Sequence, residues 1–411
     1  MSIFRADLDA LAAARLLRHL TPLEDGARPW LTHEGRRYLN VSSSNYLGLA
    51  DHPAVVTAAI ESLRREGFGG GGSCLVTGHH PAHAALEQAL AAHLKMPASL
   101  VFAAGYQTNV GVLSALAGPA DIIFADALNH ASLIDGCRLS RAAVRVYRHA
   151  DPDHLASLLA AAPRTGRRLI VTDGVFSMDG DVAPLPALLE LAARYEALLV
   201  VDDAHGFGVL GREGGGLPEH VGRAGAVPVL IGTLSKAAGL QGGYVASDPD
   251  TIHYLVNKAR GFVFATGLVA PIARAAVAAL TVIRQEPERR MRLWQKARRL
   301  RETLTALGYT LAPTPYPEIP IVAILVGAAE AAVAFAAALR DHGIWATAIR
   351  PPSVPPGTSR IRLTVMATQD DRDWTDALGV FEALAPRYHS WRAAALAAQP
   401  TPVASPSGPE S

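Results

Sequence analysis

Six short apolar runs, at residues 100–102, 121–124, 144–147, 169–172, 198–201 and 229–231, recur through the middle of the chain and alternate with stretches of helical periodicity at 107–117, 132–140, 153–161 and 185–195. Strands of that composition are buried on both faces, so the pattern predicts a mainly parallel sheet covered by helices on both sides. Polar residues gather where the runs end: Gly105 and Tyr106, Asn129 and His130, Asp173 with Ser177, Asp202 with His205, and Thr233 with Lys236. Ligands of open α/β sheets bind beyond the carboxyl ends of the strands, so five loops are expected to converge on one crevice. Singly, each residue has a plainer reading, His130 as a helix cap and Asp173 or Asp202 as a turn carboxylate. Their common placement at strand ends favours a site.

Lys236 stands in a glycine-rich loop, Ile231-Gly-Thr-Leu-Ser-Lys-Ala-Ala-Gly-Leu-Gln-Gly-Gly-Tyr244, and is the candidate nucleophile. A desolvated lysine amine condenses with an aldehyde cofactor to a Schiff base. Thr233 and Ser235 offer hydroxyls to a phosphate, and glycines 239, 242 and 243 let the backbone approach a flat ring. An acid on a pyridine nitrogen, a histidine over the ring and a lysine on the aldehyde together suit pyridoxal phosphate. Asp202 fits the first role by position, with His205 three residues on.

The 411 residues carry a formal net charge of +1 and half are hydrophobic, which offers no support for a nucleic-acid or membrane partner. Cys74 and Cys137 make no disulfide framework and have no Cys-x-x-Cys spacing, and Arg5, Asp7, Asp9 and Arg15 interrupt any signal-peptide core. A soluble, cytoplasmic protein is expected. Apolar residues 8, 11, 16, 17 and 20 predict an arm helix over 7–20 with arginines 15 and 18 on its polar side. Residues 30–41 read as a hairpin turning at Glu34-Gly35, and 53–65 as a helix. Glycines 67–72 suit close backbone packing or a subunit contact better than a nucleotide loop. His79, His80 and His83 lack partners at metal spacing, and no metal site is expected. A long helical region runs over 270–307, where Arg289, Arg290, Arg292, Arg298, Arg299 and Arg301 are expected to form a solvated face. A smaller α/β unit follows, ending in a helix over 371–384. The expected division is an N-terminal arm and hairpin (1–52), a large cofactor-binding domain (53–290), a C-terminal small domain (291–390) and a disordered tail (391–411).

From about Arg18 to Leu384 the chain resembles the α-oxoamine synthases, fold-type I pyridoxal-phosphate transferases. The resemblance rests on Val171-Thr-Asp-Gly-Val-Phe-Ser-Met-Asp-Gly-Asp181, Val201-Asp-Asp-Ala-His-Gly206, Gly232-Thr-Leu-Ser-Lys236 and Ile349-Arg-Pro-Pro-Ser-Val-Pro-Pro-Gly-Thr-Ser-Arg-Ile-Arg-Leu-Thr364. It implies a large, mostly parallel sheet of the seven-stranded type, a smaller C-terminal α/β domain, and a homodimer with shared sites. It also implies the decarboxylative condensation of an amino acid with an acyl-CoA or acyl-carrier thioester. Arg350-Pro-Pro favours the biotin branch, in which L-alanine meets a pimeloyl thioester, over the aminolevulinate, aminoketobutyrate and sphingoid-base branches. By this resemblance Lys236 bonds the cofactor, His130 stacks on its ring, Asp202 meets the ring nitrogen, and His205 and Ser177 lie near the phenolic oxygen. Gly105, Tyr106 and Thr233 bind the phosphate, which Thr266 reaches from the second subunit. Arg362 grips the amino-acid carboxylate, Arg18 contacts the acyl substrate, and Ser353 stands where the family has Thr. Two departures bear on the substrates: Ser44-Asn45 replaces Asn-Asp before Tyr46, with Asn45 placed as in sphingoid-base synthases and counted among the substrate-binding residues, and Met366-Ala-Thr-Gln369 replaces an Ala-Ala-His-Thr-like ending. A secondary-metabolism or sphingoid-type synthase and a non-catalytic partner-binding subunit are the alternatives.

Overall fold

The computed structural model describes residues 2–13 and 16–397. Arg15 of the expected arm helix and the tail from 398 onward lie outside the described residues. The arm helix itself is shorter than the periodicity predicts, Arg5–Ala13, and residues 16–20 are irregular. β1 (Trp30–His33) and β2 (Arg36–Asn40) form the expected hairpin, with Glu34 and Gly35 both at positive φ in its turn.

The large sheet is built from β3 (Ala98–Phe102), β4 (Ile122–Asp126), β5 (Ala143–Tyr147), β6 (Arg168–Asp173), β7 (Leu198–Asp202), β8 (Val229–Thr233) and β9 (Gly243–Ser247). Their order is β3-β9-β8-β7-β6-β4-β5. β5, β4, β6, β7 and β8 run parallel, and β9 pairs antiparallel with both β8 and β3. The alternation explains the continuous apolar runs. Leu169, Val171 and Val200 pack on one face, Ile170, Leu199 and Val201 on the other, and all are fully buried. Each such side chain contributes roughly 1.5–3 kcal/mol by leaving water. β9 is the strand that the run pattern does not predict, because it begins inside the glycine loop.

The second unit holds β10 (Ile321–Gly327), β11 (Ile344–Trp345), β12 (Thr347–Ile349) and β13 (Ser359–Thr364). β10, β13 and β12 form an antiparallel sheet, while β11 pairs parallel with β2, so the N-terminal hairpin is part of the C-terminal layer.

Three expectations for the C-terminal half need correction. The region 270–307 is two helices, Ala270–Gln285 and Pro287–Ala306, since Pro287 lacks the N–H that would continue the first. The arginines there are not all solvated: Arg290 and Arg301 are buried. Arg290 donates to the Ile283 and Arg212 carbonyls, and Arg301 to those of Pro317 (3.3 Å), Ile319 (3.1 Å) and Ile321. The last helix runs Asp371–Ala397, past Pro386, so residues 391–397 belong to it rather than to a tail. The Leu325 carbonyl holds this end by accepting from Tyr388 Oη and Arg392 Nη1, both at 2.9 Å. No helix among the described residues is long and apolar enough to cross a membrane.

Candidate active site

Five chain segments leave the large sheet at one end and enclose a cavity of about 180 Å³. β7 ends at Asp202, β8 at Thr233, and β6 at Asp173. Their neighbours β3 and β4 lead into the segments that carry Gly105 and His130. A second cavity of about 650 Å³ shares His130 and Asp173 with the first and extends past Ser177 to Pro351–Val354. The two form one crevice, small and polar at the sheet, wide and largely apolar outward.

Asp202 is held from two directions. Its Oδ2 accepts from Asn109 Nδ2 at 2.6 Å and its Oδ1 from the Ala204 amide at 3.0 Å. The Asn109 amide also donates to Ser132 Oγ at 2.8 Å, and that hydroxyl lies 2.7 Å from His130 Nδ1. His130 Nδ1 accepts from the Ser132 amide as the cap of the following helix, Ala131–Ser140. The proton therefore sits on Nε2, and burial, the largest influence on this ring, keeps it neutral by lowering its pKa. The His130 amide donates to Asp173 Oδ2 at 2.7 Å, which fixes the turn over the end of β6.

Lys236 is half-buried. Burial lowers its amine to about 8, against the opposing pull of Asp202 and Asp173. Asp173 is raised well above the carboxylate range by burial and by the charge of Asp202. His205 Nδ1 lies 2.7 Å from Tyr46 Oη, and burial, with Lys236 and Arg362 acting in the same sense, drives it well below its ordinary range. Arg362, on β13, donates from Nε to the Ser177 carbonyl at 2.5 Å and approaches Tyr46 Oη at 3.4 Å from Nη2. Through Arg362 the C-terminal unit thus touches Ser177 and Tyr46 beside the crevice.

Gly105 begins the helix Gly105–Leu116, whose N-cap Ala104 has no capping side chain. A Cβ on Gly105 would stand 3.1 Å from the Thr233 side chain, so glycine lets the helix start lie close against that hydroxyl without displacing it. Thr233 Oγ1 donates to the Gly242 carbonyl at 2.8 Å and lies 2.8 Å from Ser235 Oγ. Free amides at a helix N-terminus beside two hydroxyls form an anion cradle. Tyr106 lines it, half-exposed, with its phenol on the Asp135 carboxylate.

The other residues singled out in the sequence are more dispersed. Ser353 borders the large cavity and also a third one, of about 580 Å³, where the exposed Arg18 lies. Thr266 stands apart from all three, bridged to Ser73 beside the glycine run. Asn45 is buried with its polar atoms committed to the backbone: Nδ2 donates to Ala27 O at 2.8 Å and Oδ1 accepts from Leu49 N at 2.9 Å. Gln369 has a similar local task, joining Asn40 O, Met366 N and Trp374 Nε1. Three residues that line or border the site were not read from the sequence: Tyr46, Asn109 and Ser132. Asn109, a polar amide on the buried and mostly apolar face of its helix, was the available signal.

These donors fit pyridoxal phosphate. The cradle suits its phosphate and Lys236 its aldehyde, while Asp202 faces the same cavity as the neutral His130 ring. Asn109 Oδ1 is buried without a protein partner, consistent with a further polar neighbour in the occupied site.

The family model of aminotransferase class I and II matches residues 36–381. An 8-amino-7-oxononanoate synthase of Bordetella petrii is 49% identical, over 88% of this chain and 92% of that protein. One of Lysinibacillus sphaericus is 43% identical, over 89% and 93%. Among solved structures, serine palmitoyltransferase from S. paucimobilis with bound PLP superposes with a TM-score of 0.89 at 28% identity, covering 95% of this chain and all of that one. The 8-amino-7-oxononanoate synthase of Francisella tularensis gives 0.74 at 26%, covering 86% and 99%. The chain therefore belongs to the class I and II aminotransferase family, as a pyridoxal-phosphate-dependent α-oxoamine synthase that groups with the 8-amino-7-oxononanoate synthases.

Proposed function

We propose that the protein condenses L-alanine with a pimeloyl thioester, releasing carbon dioxide and the free thiol and forming 8-amino-7-oxononanoate. The observation that carries this reading is the Lys236 amine, lowered to about 8 by desolvation, which shares one small cavity with Asp202 and His130. That site occurs in a chain nearly half identical to synthases of this name.

When bound, pyridoxal phosphate supplies an electron sink for the pair left at the amino acid's α-carbon. Asp202, fixed by Asn109 and Ala204, would keep the proton on the ring nitrogen. His130 would meet the ring as a neutral imidazole. Gly105, Tyr106, Thr233 and, from a second copy of the chain, Thr266 would hold the phosphate, so that the working unit would be a homodimer. Ser177 and His205 border the phenolic oxygen, with Tyr46 orienting His205. Lys236 would hold the cofactor's aldehyde carbon, and its neutral amine is the base placed to take the amino acid's α-proton. An ordinary lysine would be almost wholly protonated at neutral pH, so the lowered value leaves a usable fraction as base. Arg362 receives the amino-acid carboxylate through its fork. Arg18 and Ser353 serve the acyl thioester, and Asn45 acts through the loop it braces. The setting is cytoplasmic.

A second reading, a sphingoid-type synthase, is favoured by Asn45 before Tyr46 and by the TM-score of 0.89 to serine palmitoyltransferase. The test is a panel of amino acids against acyl-CoA and acyl-carrier thioesters, scored by mass spectrometry. The main product expected is that of L-alanine and the pimeloyl donor; a long-chain amino ketone formed from L-serine and a palmitoyl donor with loss of carbon dioxide would support the second reading.

A further inference from the structure

We propose that His149 is a positioning residue, a partly buried imidazolium that clamps together the two loops flanking the cofactor cavity, one carrying His130 and the other Ser177. The inference rests on the reading of His130 and Arg362 given above.

His149 follows β5 and bridges two carboxylates. Its Nδ1 lies 2.9 Å from Asp126 Oδ1 and its Nε2 2.6 Å from Asp181 Oδ2. A neutral imidazole has one N–H, so one of these contacts would set a lone pair against a carboxylate. Asp126 already accepts the amides of Leu128 and Ala150, each at 2.8 Å, so both of its oxygens serve as acceptors. Both ring nitrogens therefore donate. Burial alone would lower the imidazole, but the two carboxylates outweigh it and raise its pKa to about 10. The Phe176 ring meets it edge-on at 4.4 Å. The other titratable groups nearby are Asp179, paired with Arg360, and Tyr147, whose buried hydroxyl has no protein partner. Arg148 turns away to Asp151.

The two carboxylates belong to the two loops that matter. Asp126 closes β4 and shapes the turn into Leu128, Asn129 and His130. Asp181 closes the other loop, where the Phe176 amide donates to the Asp181 carbonyl at 2.9 Å and Gly180 to Phe176 at 2.9 Å. That short loop offers the Ser177 carbonyl to Arg362 and the Asp179 carboxylate to Arg360. One cation thus sets the ring-stacking histidine relative to the anchor of the carboxylate-binding arginine. Asp181 Oδ1 is buried with no partner, so without the imidazolium the loop would carry an uncompensated buried charge.

The test combines NMR and kinetics on the pyridoxal-phosphate-loaded protein. Nitrogen-15 spectra of labelled histidine at pH 8 should show one imidazole protonated on both nitrogens, and that signal should be missing from His149→Gln. A neutral His149 at pH 8 overturns the proposal, even if no variant folds. His149→Gln is expected to release the cofactor about tenfold more readily and to raise KM for the amino acid about tenfold, with kcat moved less, because a charge-assisted pair is lost outside the reacting atoms. Asp181→Asn should reproduce the KM effect. A folded His149→Gln that holds cofactor and amino acid like the parent contradicts the clamp. An unchanged KM in Arg362→Lys would instead count against the reading of the site, while leaving the His149 signal intact.

Discussion

Asn109 donates from Nδ2 to Asp202 Oδ2 across 2.6 Å, tying the first turns of the helix Gly105–Leu116 to the end of β7. The same amide reaches Ser132 and, through it, His130. Asp202 and His130, proposed for the ring nitrogen and the ring face, are thus set by one buried side chain. Asn109→Ala should leave a folded protein in which Asp202 has lost an oriented donor. A fall of about tenfold in kcat/KM is expected, the size of one neutral-to-charged hydrogen bond, together with weaker cofactor retention measured by dialysis. Unchanged kinetics would reduce Asn109 to packing.

Asp202→Asn should damage the chemical step far more than cofactor binding, since an amide cannot hold the pyridinium charge. The lost charge-assisted bond is worth about 1.5–3 kcal/mol, so kcat should fall roughly tenfold to a hundredfold or more. Stopped-flow absorbance and steady-state rates check this, and unaltered values would make Asp202 a turn residue.

Much of the site was legible because its chemistry sits at strand ends, where an apolar run stops at a polar residue. Asp202 after Leu-Leu-Val-Val and Lys236 three residues beyond Thr233 are seen this way. Asn109 and Tyr46 were harder, since each gains its meaning from the packing of distant segments; Tyr46 meets His205 159 positions later. β9 was hidden by the glycines at its start. Arg301 was misread because composition cannot tell whether a long side chain turns outward or inward toward free carbonyls. Pro386 was the local signal for an earlier helix end, and the packing of Tyr388 and Arg392 on β10 overrides it.

The depressed Lys236 amine sets a pH dependence. Under the proposed function its neutral form would bond the cofactor aldehyde, and that form reaches half its population at about 8 in the cofactor-free protein. Reconstitution rates should rise with pH through 8 and level off by about 9, one unit above the midpoint. A rate still climbing steeply above pH 10 would indicate an ordinary exposed amine. Lys236→Ala should stay folded, with no covalent attachment and no turnover.

Arg301→Ala should destabilise the C-terminal layer. It strands the carbonyls of Pro317, Ile319 and Ile321 and leaves a cavity. A loss of about 2–4 kcal/mol is expected from unmet buried acceptors and lost packing. Thermal denaturation reads this, and a shift near zero would place the guanidinium in solvent, as the composition alone suggests.

The central claim is the pairing of L-alanine with a pimeloyl donor on a fold that superposes well on a serine palmitoyltransferase. It is tested most directly by kcat/KM for L-alanine with pimeloyl thioester against L-serine with palmitoyl thioester, with products identified by mass spectrometry. Discrimination by one small group is worth only about 1–3 kcal/mol, so some turnover of glycine and serine is expected. The account predicts that the L-alanine and pimeloyl pair is preferred and yields 8-amino-7-oxononanoate with one carbon dioxide released per product. A preference for L-serine with the palmitoyl donor would contradict it.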